Sequence, residues 1–218
     1  MTQRIALITG ASRGLGAALA ESLALKGWHV VAVARTSGGL EELDDRIKSH
    51  KSPGAGAVTL APMDVTNDDA MRHLCLNIHE RWGGLGLWAH TAIHAAPMAP
   101  AGSLDTKDWE KSIAINARAT GQLIPMIEPL LLAHQGTALF VDDPRAGTAF
   151  FAAYGASKAA QIALARSWAA ETAKIGPRVV IATPAPMPTA TRARFFPGED
   201  RSKLADPRTE AIRILSLL

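Results

Sequence analysis

The segment that most constrains this chain is a glycine-rich turn near its start, Thr9-Gly-Ala-Ser-Arg-Gly-Leu-Gly16. It follows a short apolar run at residues 5–9 and precedes a stretch with helical patterning that extends to about Lys26. Glycines placed there permit a tight turn and let backbone N–H groups at a helix N-terminus approach the pyrophosphate of a dinucleotide. Glycines also serve turns and strand–helix packing, but the position between a strand and a helix favours dinucleotide binding.

Short apolar strands alternate with longer helical stretches along the rest of the chain. Strands are predicted at residues 5–9, 30–34, 58–62, 85–92, 138–141 and 179–182. After the first helix, further helices are predicted at residues 40–49, from the capping segment 66–69 to Trp82, and at 109–134, 154–173 and 208–218. Pro125 and Pro129 should kink or interrupt the predicted helix 109–134. Such alternation predicts an α/β fold: a Rossmann-type, doubly wound parallel sheet of about six strands with helices on both faces. We expect residues 1–218 to form a single domain, with ligands bound at the carboxyl ends of the strands.

Composition excludes several classes of protein. The chain is 48% hydrophobic and 20% charged, which is ordinary for a globular domain and unlike a disordered or fibrous one. Its apolar stretches end well short of the ~18 residues that a membrane helix needs. Cys75 is the sole cysteine, so we expect no internal disulfide, no thiolate metal site and a cytoplasmic location. The net charge is +3 without a Lys/Arg block, so nucleic-acid binding is not expected.

The end of the second predicted strand indicates which dinucleotide binds. A carboxylate in that place would hold the ribose 2′-hydroxyl of NAD(H), but the chain has Val33-Ala34-Arg35-Thr36. Arg35 and Arg13 could instead bind a 2′-phosphate through charge-assisted hydrogen bonds, although both could be ordinary surface arginines. The missing acid and the two cations together favour NADP(H) over NAD(H).

A second motif, Tyr154-Gly-Ala-Ser-Lys158, stands at the start of the predicted helix 154–173. Positions i and i+4 share one face of a helix, so the phenol and the ammonium can lie together. A neighbouring cation favours the phenolate, so we expect Lys158 to lower the pKa of Tyr154 and make it a proton donor or acceptor near neutral pH.

The glycine turn, the Tyr-x-x-x-Lys pair and the spacing between them resemble the short-chain dehydrogenase/reductase superfamily, from Arg4 to about Thr189. The resemblance implies hydride transfer between a nicotinamide and a carbonyl or alcohol substrate, with Tyr154 as the proton donor and Lys158 binding the nicotinamide ribose. Asn116 is similar to the family's helix asparagine that holds a proton-relay water. The catalytic set implied is Asn116, Tyr154 and Lys158.

The resemblance also implies a set of cofactor-binding positions. Asp64-Val65 matches the pair that contacts adenine, and Thr189 matches a threonine on the nicotinamide side. The full predicted set is Gly10, Ser12, Arg13, Gly14, Leu15, Gly16, Arg35, Thr36, Asp64, Val65, Ala92, Tyr154, Lys158, Pro184, Met187 and Thr189. No metal is expected: His90 and His94 lack a nearby acid or cysteine set, and a structural or substrate-lining role is favoured for them.

Two departures from the family pattern bear on activity. Where the family usually has Asn-Asn-Ala-Gly, the chain has His90-Thr-Ala-Ile93, so His90 should replace a structural hydrogen bond. Where the family places a catalytic serine, the chain has Asp142-Asp143, and the only hydroxyl between Ala138 and Ala153 is that of Thr148. An ionised carboxylate repels a developing oxyanion and cannot donate to it. Either the oxyanion contact is altered, or the protein is a catalytically impaired NADP(H)-binding sensor or scaffold.

The remaining expectations concern substrate and assembly. Segments 93–98, 144–151 and 187–196 should line the substrate site; they contain Phe150, Phe151, Phe195 and Phe196 with Arg145, Arg192 and Arg194. The family's last strand is absent from the sequence, so six strands are expected. A homodimer through the long helices is favoured by the small residues Ala156, Ala160, Ala163 and Ala170.

Overall fold

The structure is a computed structural model and describes residues 4–50 and 54–218. Six strands form one parallel sheet in the order β3-β2-β1-β4-β5-β6. The strands are β1 Ile5–Thr9, β2 His29–Ala34, β3 Val58–Pro62, β4 Leu87–His90, β5 Thr137–Val141 and β6 Arg178–Ala182. The predicted doubly wound parallel sheet of six strands is therefore confirmed. The predicted domain, 1–218, includes residues 1–3 and 51–53, which lie outside the described residues.

Eight α-helices in the described ranges connect and cover the strands. They are α1 Gly14–Leu25, α2 Ser37–Ser49, α3 Asp68–Trp82, α4 Thr106–Ser112, α5 Ala119–Ala133, α6 Ala152–Thr172, α7 Ala190–Phe195 and α8 Pro207–Leu215. A π-helical segment, Ile113–Arg118, joins α4 to α5. None of these helices has both the length and the apolar character that crossing a membrane requires.

Alternating side chains of the strands build two hydrophobic cores, one on each face of the sheet. In β1, Ile5 and Leu7 pack with residues of α3, α5 and α6, whereas Ala6 and Ile8 pack with residues of α1, α2 and α8. All four side chains are fully buried. Because both faces are covered, β1 and β4 are apolar except at their last residues, Thr9 and His90, and such apolar strands are typical of a parallel sheet.

Helix α5 departs from one of the two predicted alternatives, an interruption at its prolines. Pro125 and Pro129 lie inside it, and neither interrupts it. Both prolines are exposed on the outer side of the helix, where the carbonyl groups that lose their N–H partners can be hydrated. The regular helix is instead broken earlier, in the π-helical segment that carries Asn116. The short helix α7 was not predicted from the sequence, and β4 is shorter than the predicted strand 85–92.

Candidate active site

A cavity of about 470 Å³ opens at the carboxyl ends of the strands. It brings together most of the positions predicted to bind the cofactor: Gly10, Ser12, Arg13, Gly14, Leu15, Gly16, Arg35, Asp64, Val65, Ala92, Tyr154, Lys158, Pro184, Met187 and Thr189. Two predicted residues do not line it. Thr36 is the N-cap residue of α2, and Asn116 is fully buried in the π-helical segment. Asp142, Asp143, Pro144, Arg145 and Arg192, which were not predicted to bind the cofactor, do line it.

The glycine turn forms one wall of the cavity and requires glycine at two positions. Gly10 has φ +88°, and a Cβ added there would lie 2.6 Å from the backbone nitrogen of Ala92. A Cβ on Gly16 would lie 2.3 Å from the carbonyl oxygen of Gly10. The backbone of the turn is thus packed directly against the end of β4. No side chain caps the N-terminus of α1, so its first N–H groups are available to an anion.

The cavity is cationic near the start of α1 and the end of β2. Arg13 and Arg35 are both exposed and border the cavity, and no acidic residue follows β2. Asp64 borders it too, but its Oδ1 accepts hydrogen bonds from the backbone N–H and the hydroxyl of Thr66, at 2.9 and 2.8 Å. This carboxylate oxygen therefore stabilises a turn. The positive side chains and the uncapped helix terminus suit a phosphorylated dinucleotide.

Tyr154 lies on the first turns of α6 and is 4% exposed. Its hydroxyl donates a hydrogen bond to Oδ2 of Asp143 at 3.1 Å. Burial, together with the charge of Asp143 and this hydrogen bond, raises the pKa of Tyr154 far above its ordinary value of 10.0. The expectation that Lys158 lowers this pKa is therefore wrong for this structure. The groups that dominate the surroundings of the phenol are a carboxylate and an apolar environment, and both disfavour the phenolate.

Lys158 follows Tyr154 by about one turn of α6, and its side chain is bonded to the interior of the protein. Its Nζ donates to Oε1 of Gln161 at 2.5 Å, and the side chain is almost fully buried. Burial lowers the pKa of Lys158 to about 8, although Asp142 and Asp143 oppose the shift. An amide oxygen stabilises the ammonium without neutralising it, so the lysine remains a cation whose charge is easily lost.

A chain of buried hydrogen bonds continues from Gln161 to the centre of the sheet. Nε2 of Gln161 donates to the Thr120 hydroxyl at 3.0 Å, and this hydroxyl lies 3.1 Å from Nε2 of His90. Nδ1 of His90 lies 2.7 Å from the Thr9 hydroxyl. Burial and the charge of Lys158 lower the pKa of His90 to about 3, so the ring is neutral. His90 thus links β1 and β4 to α5 and α6, which is the structural role predicted for it.

Asn116 lies in the interior beside this chain of hydrogen bonds, and both its side-chain oxygen and its side-chain nitrogen have hydrogen-bond partners. Oδ1 accepts the backbone N–H of His94 at 2.7 Å, while Nδ2 donates to the His94 carbonyl and to Ser157 Oγ, both at 2.9 Å. Its main-chain carbonyl accepts the Thr120 hydroxyl at 3.1 Å. Asn116 therefore fixes the loop after β4 against α6.

Carboxylates and an arginine surround Tyr154 at the end of β5. Oδ1 of Asp143 accepts from Nε of Arg145 at 3.1 Å. The Arg145 guanidinium lies 5.4 Å from the ring centroids of both Phe151 and Phe196. Sequence reasoning identified the two aspartates only as a departure from the family pattern. No sequence pattern predicts that Asp143 bonds Tyr154, because the loop conformation decides which of the two acids faces the phenol.

The substrate end of the cavity is mostly apolar. Ile93, Pro144, Met187, Phe195 and Phe196 border it. The Phe195 ring packs 4.9 Å from those of Tyr154 and Phe151. Phe150, which was predicted to belong to this region, is 57% exposed and lies outside the cavity. Arg192 borders the cavity but is paired with Glu199 through two hydrogen bonds, at 2.7 and 2.5 Å.

His94 also lies outside the cavity, on the loop after β4. Its Nε2 is 3.5 Å from Oδ1 of Asp108, too long for a good hydrogen bond, and burial lowers the pKa of the ring. Among residues 4–50 and 54–218, no three His, Cys, Asp or Glu side chains are grouped so that they could hold a metal ion.

Comparison with known proteins places this geometry among oxidoreductases. The short chain dehydrogenase family profile matches residues 4–200. An uncharacterised oxidoreductase of Staphylococcus aureus strain MW2 is 28% identical over 221 residues, which cover 100% of this chain and 92% of that relative. D-threitol dehydrogenase of Mycolicibacterium smegmatis is 26% identical over 215 residues, or 97% of this chain and 78% of the relative. A short chain dehydrogenase structure from Shigella flexneri complexed with NADP superposes with TM-score 0.84 at 27% identity, covering 95% of this chain and 87% of that one.

The neutral state of His90 should make stability depend on pH. Its pKa is lowered from 6.5 in the unfolded chain to about 3 in the fold, so between these values the unfolded chain binds more protons. Stability is therefore lost as the pH falls below 6.5. When the pH is lowered from 7 to 4.5, the free energy of unfolding of wild type should fall by about 2.5 kcal/mol more than that of His90→Asn, since roughly 1.4 kcal/mol is lost per pH unit below 6.5.

Urea unfolding of both proteins at the two pH values measures this difference. His73→Asn, which changes an exposed histidine on α3, is the matched control and should follow wild type. Equal losses in wild type and His90→Asn would show that His90 does not carry the effect.

Proposed function

The chain belongs to the short chain dehydrogenase family, whose members are oxidoreductases that use a nicotinamide cofactor, and we propose that it is an NADP(H)-dependent member. The proposed reaction transfers hydride between the nicotinamide and a carbonyl or alcohol substrate, with Tyr154 as the proton donor or acceptor. One observation carries this proposal. The cavity brings the uncapped N-terminus of α1, two free-standing arginines and the buried phenol of Tyr154 into one space.

Different residues of the chain would bind the two ends of the cofactor. The backbone of the glycine turn would hold the pyrophosphate, and Arg13 and Arg35 would hold a 2′-phosphate. Lys158 would bind the nicotinamide ribose, and the turn from Pro184 to Thr189 would orient the nicotinamide. Glu210 steadies this turn by accepting the Ala185 N–H at 2.9 Å. When bound, the cofactor supplies or accepts the hydride. Preference for NADP(H) is supported by the missing acid after β2 and by the Shigella flexneri relative solved with NADP.

The proposed substrate is a small molecule that carries a carbinol or a carbonyl group. The space beside Tyr154 is bordered by apolar side chains, which exclude water from the reacting atoms. The related D-threitol dehydrogenase acts on a small polyol, which is consistent with an alcohol of modest size.

A second candidate function is supported by the acids at the end of β5. An NADP(H)-binding sensor or scaffold would need the glycine turn and the arginines but no proton transfer. The raised pKa of Tyr154 and the carboxylate bonded to its hydroxyl oppose the usual donation to a carbonyl oxygen. The buried ammonium of Lys158, which borders the same cavity as Tyr154, favours the enzyme, because a sensor needs no such group.

We further propose that the protein is a homodimer in which the outer faces of α5 and α6 pack against their copies. On α6, Ala156, Ala163 and Ala170 are exposed, and Leu164 beside them is 39% exposed. Small side chains let helices approach closely, and the exposed leucine would be covered.

Cofactor preference is tested with Arg35→Ala. Loss of a charge-assisted contact costs about 1.5–3 kcal/mol, so NADPH should bind roughly 10- to 100-fold more weakly, while NADH binding should change little. Isothermal titration with both cofactors measures this. Arg81→Ala, which removes a guanidinium stacked on Trp82 in the last turn of α3, is the control and should bind like wild type. Equal weakening of NADPH and NADH would argue against a role in 2′-phosphate binding.

Catalysis is tested with Tyr154→Phe. General acid–base catalysis contributes about 10²–10⁴-fold, so kcat should fall at least 100-fold, whereas the Kd for NADPH should stay within about twofold. Nicotinamide absorbance with a panel of alcohols, polyols, aldehydes and ketones gives the rates. Tight NADPH binding by a wild type that turns over none of these would support the sensor, and no binding of either cofactor would overturn both candidates.

Assembly is tested by light scattering. The wild type should have twice the 23.0 kDa mass of the chain, and Ala163→Glu should be monomeric because the carboxylate would be buried in the helix interface. Ala55→Glu introduces the same charge at an exposed loop position and should remain dimeric. A monomeric wild type would rule out the proposed dimer.

A further inference from the structure

The hydrogen bond between Tyr154 and Asp143 determines which kind of substrate group the site can receive. An ionised carboxylate can only accept hydrogen bonds, so the phenol proton points at Oδ2 of Asp143, 3.1 Å away. The remaining lone pairs of the phenol oxygen are then free for the cavity that Tyr154 borders. In this state the site accepts a hydrogen bond from its substrate. That matches an alcohol O–H and does not match a carbonyl oxygen, which needs a donor.

Asp143 is fixed in this position by neighbours on its other side. Nε of Arg145 donates to its Oδ1, so each carboxylate oxygen has one partner. The guanidinium of Arg145 in turn packs over the rings of both Phe151 and Phe196. Stacking on two rings limits the movement of the arginine, and the arginine keeps the carboxylate beside the phenol.

The side chains through which a proton could pass from Tyr154 into the protein interior already have hydrogen-bond partners. In the described part of the chain, the side-chain partner of Lys158 is Gln161, whose amide donates onward to Thr120. Asn116 has its amide bonded to the His94 backbone and to Ser157, and its carbonyl accepts from Thr120. An amide side chain between Lys158 and the next hydroxyl does not readily pass a proton, because it has no labile proton to exchange at its oxygen.

A proton on Asp143, by contrast, has a path to solvent. The side chain of Asp143 is 32% exposed, whereas that of Asp142 is 16% exposed and lies 3.8 Å from Arg166. A proton on Asp143 can therefore pass to water. Four charged groups act on the Tyr154–Asp143 pair: Arg145 beside it, Asp142 before it, Lys158 on α6 and Arg192 from α7.

We propose that Asp143 is the proton acceptor for Tyr154 and that the site is built to oxidise an alcohol. This inference rests on the proposed function. The substrate hydroxyl gives its proton to the Tyr154 oxygen while the phenol proton moves to Asp143, and the carbinol carbon gives a hydride to the oxidised nicotinamide. The products are a carbonyl compound, the reduced nicotinamide and a protonated Asp143, which returns its proton to water. Asp143 is then a catalytic residue, and Arg145 is its positioning residue.

The first test needs no cofactor and no turnover, because Tyr154 is the only tyrosine of the chain. Tyrosine labelled with ¹³C at Cζ gives one resonance, whose shift reports the hydrogen bond of this phenol. Asp143→Asn replaces the accepting carboxylate by an amide, so the resonance should shift away from its wild-type position. In Asp45→Asn, which makes the same change at an exposed position on α2, the resonance should stay where it is in wild type. Asp143→Ser serves as a second variant for the same measurement if the asparagine variant does not fold.

The second test measures oxidation of the best alcohol found with NADP⁺. Asp45→Asn should oxidise it at the wild-type rate, because Asp45 is exposed on α2 and lies outside the cavity. Asp143→Asn should turn over at least about 100-fold more slowly, while binding NADPH as wild type does.

The outcomes separate this inference from the proposed function. A tyrosine resonance that is unchanged in Asp143→Asn, or oxidation by this variant at the wild-type rate, overturns the role of Asp143 and leaves the proposed function standing. A wild type that oxidises no alcohol but reduces carbonyl compounds overturns the alcohol-directed site alone. A wild type without any turnover defeats the proposed function and the proton transfer together.

Discussion

The buried chain of hydrogen bonds from Thr9 through His90, Thr120 and Gln161 to Lys158 is the interaction on which the site depends. It begins in β1, crosses to β4, and reaches α6 through α5. Polar groups this deeply buried are costly unless every member is paired, so the five side chains stabilise one arrangement of sheet and helices. Hydrogen bonds that start at the sheet thus set the position of the Lys158 ammonium.

A second constraint acts at the end of β5, where the sign of the charge differs from what carbonyl reduction needs. The Asp143 carboxylate orients the phenol proton away from the substrate, and the Arg145–Phe151–Phe196 stack keeps it there. The two constraints are complementary. Lys158 bonds the neutral side chain of Gln161, and the Tyr154 hydroxyl bonds the partly exposed carboxylate of Asp143. The fold of the short chain dehydrogenase family is thus retained, and in the proposed proton transfer the phenol accepts a hydrogen bond from the substrate.

The cofactor side and the substrate side of the cavity depend on different interactions. On the cofactor side, the backbone of the glycine turn touches the end of β4 so closely that a single Cβ at Gly10 or Gly16 would collide with it. Recognition there depends on main-chain N–H groups and allows little variation. On the substrate side, Phe195, Phe196 and Met187 meet the cavity with side chains from the segment that includes α7. Their packing is determined by shape and apolar area, so many side chains of similar volume would satisfy it.

Sequence alone determined the sheet, the glycine turn and the proximity of Tyr154 and Lys158 on one helix, because each depends on local patterns: apolar runs, glycine spacing and an i, i+4 relation. It also indicated that His90 replaces a structural hydrogen bond. Tertiary structure decided the rest. Pro125 and Pro129 are tolerated because they face solvent, which no local pattern states. The pKa of Tyr154 rises because Asp143, eleven positions earlier in the chain, bonds its hydroxyl while Lys158 turns to Gln161. Electrostatic environment depends on distances between side chains of different elements, and only the folded chain sets those distances.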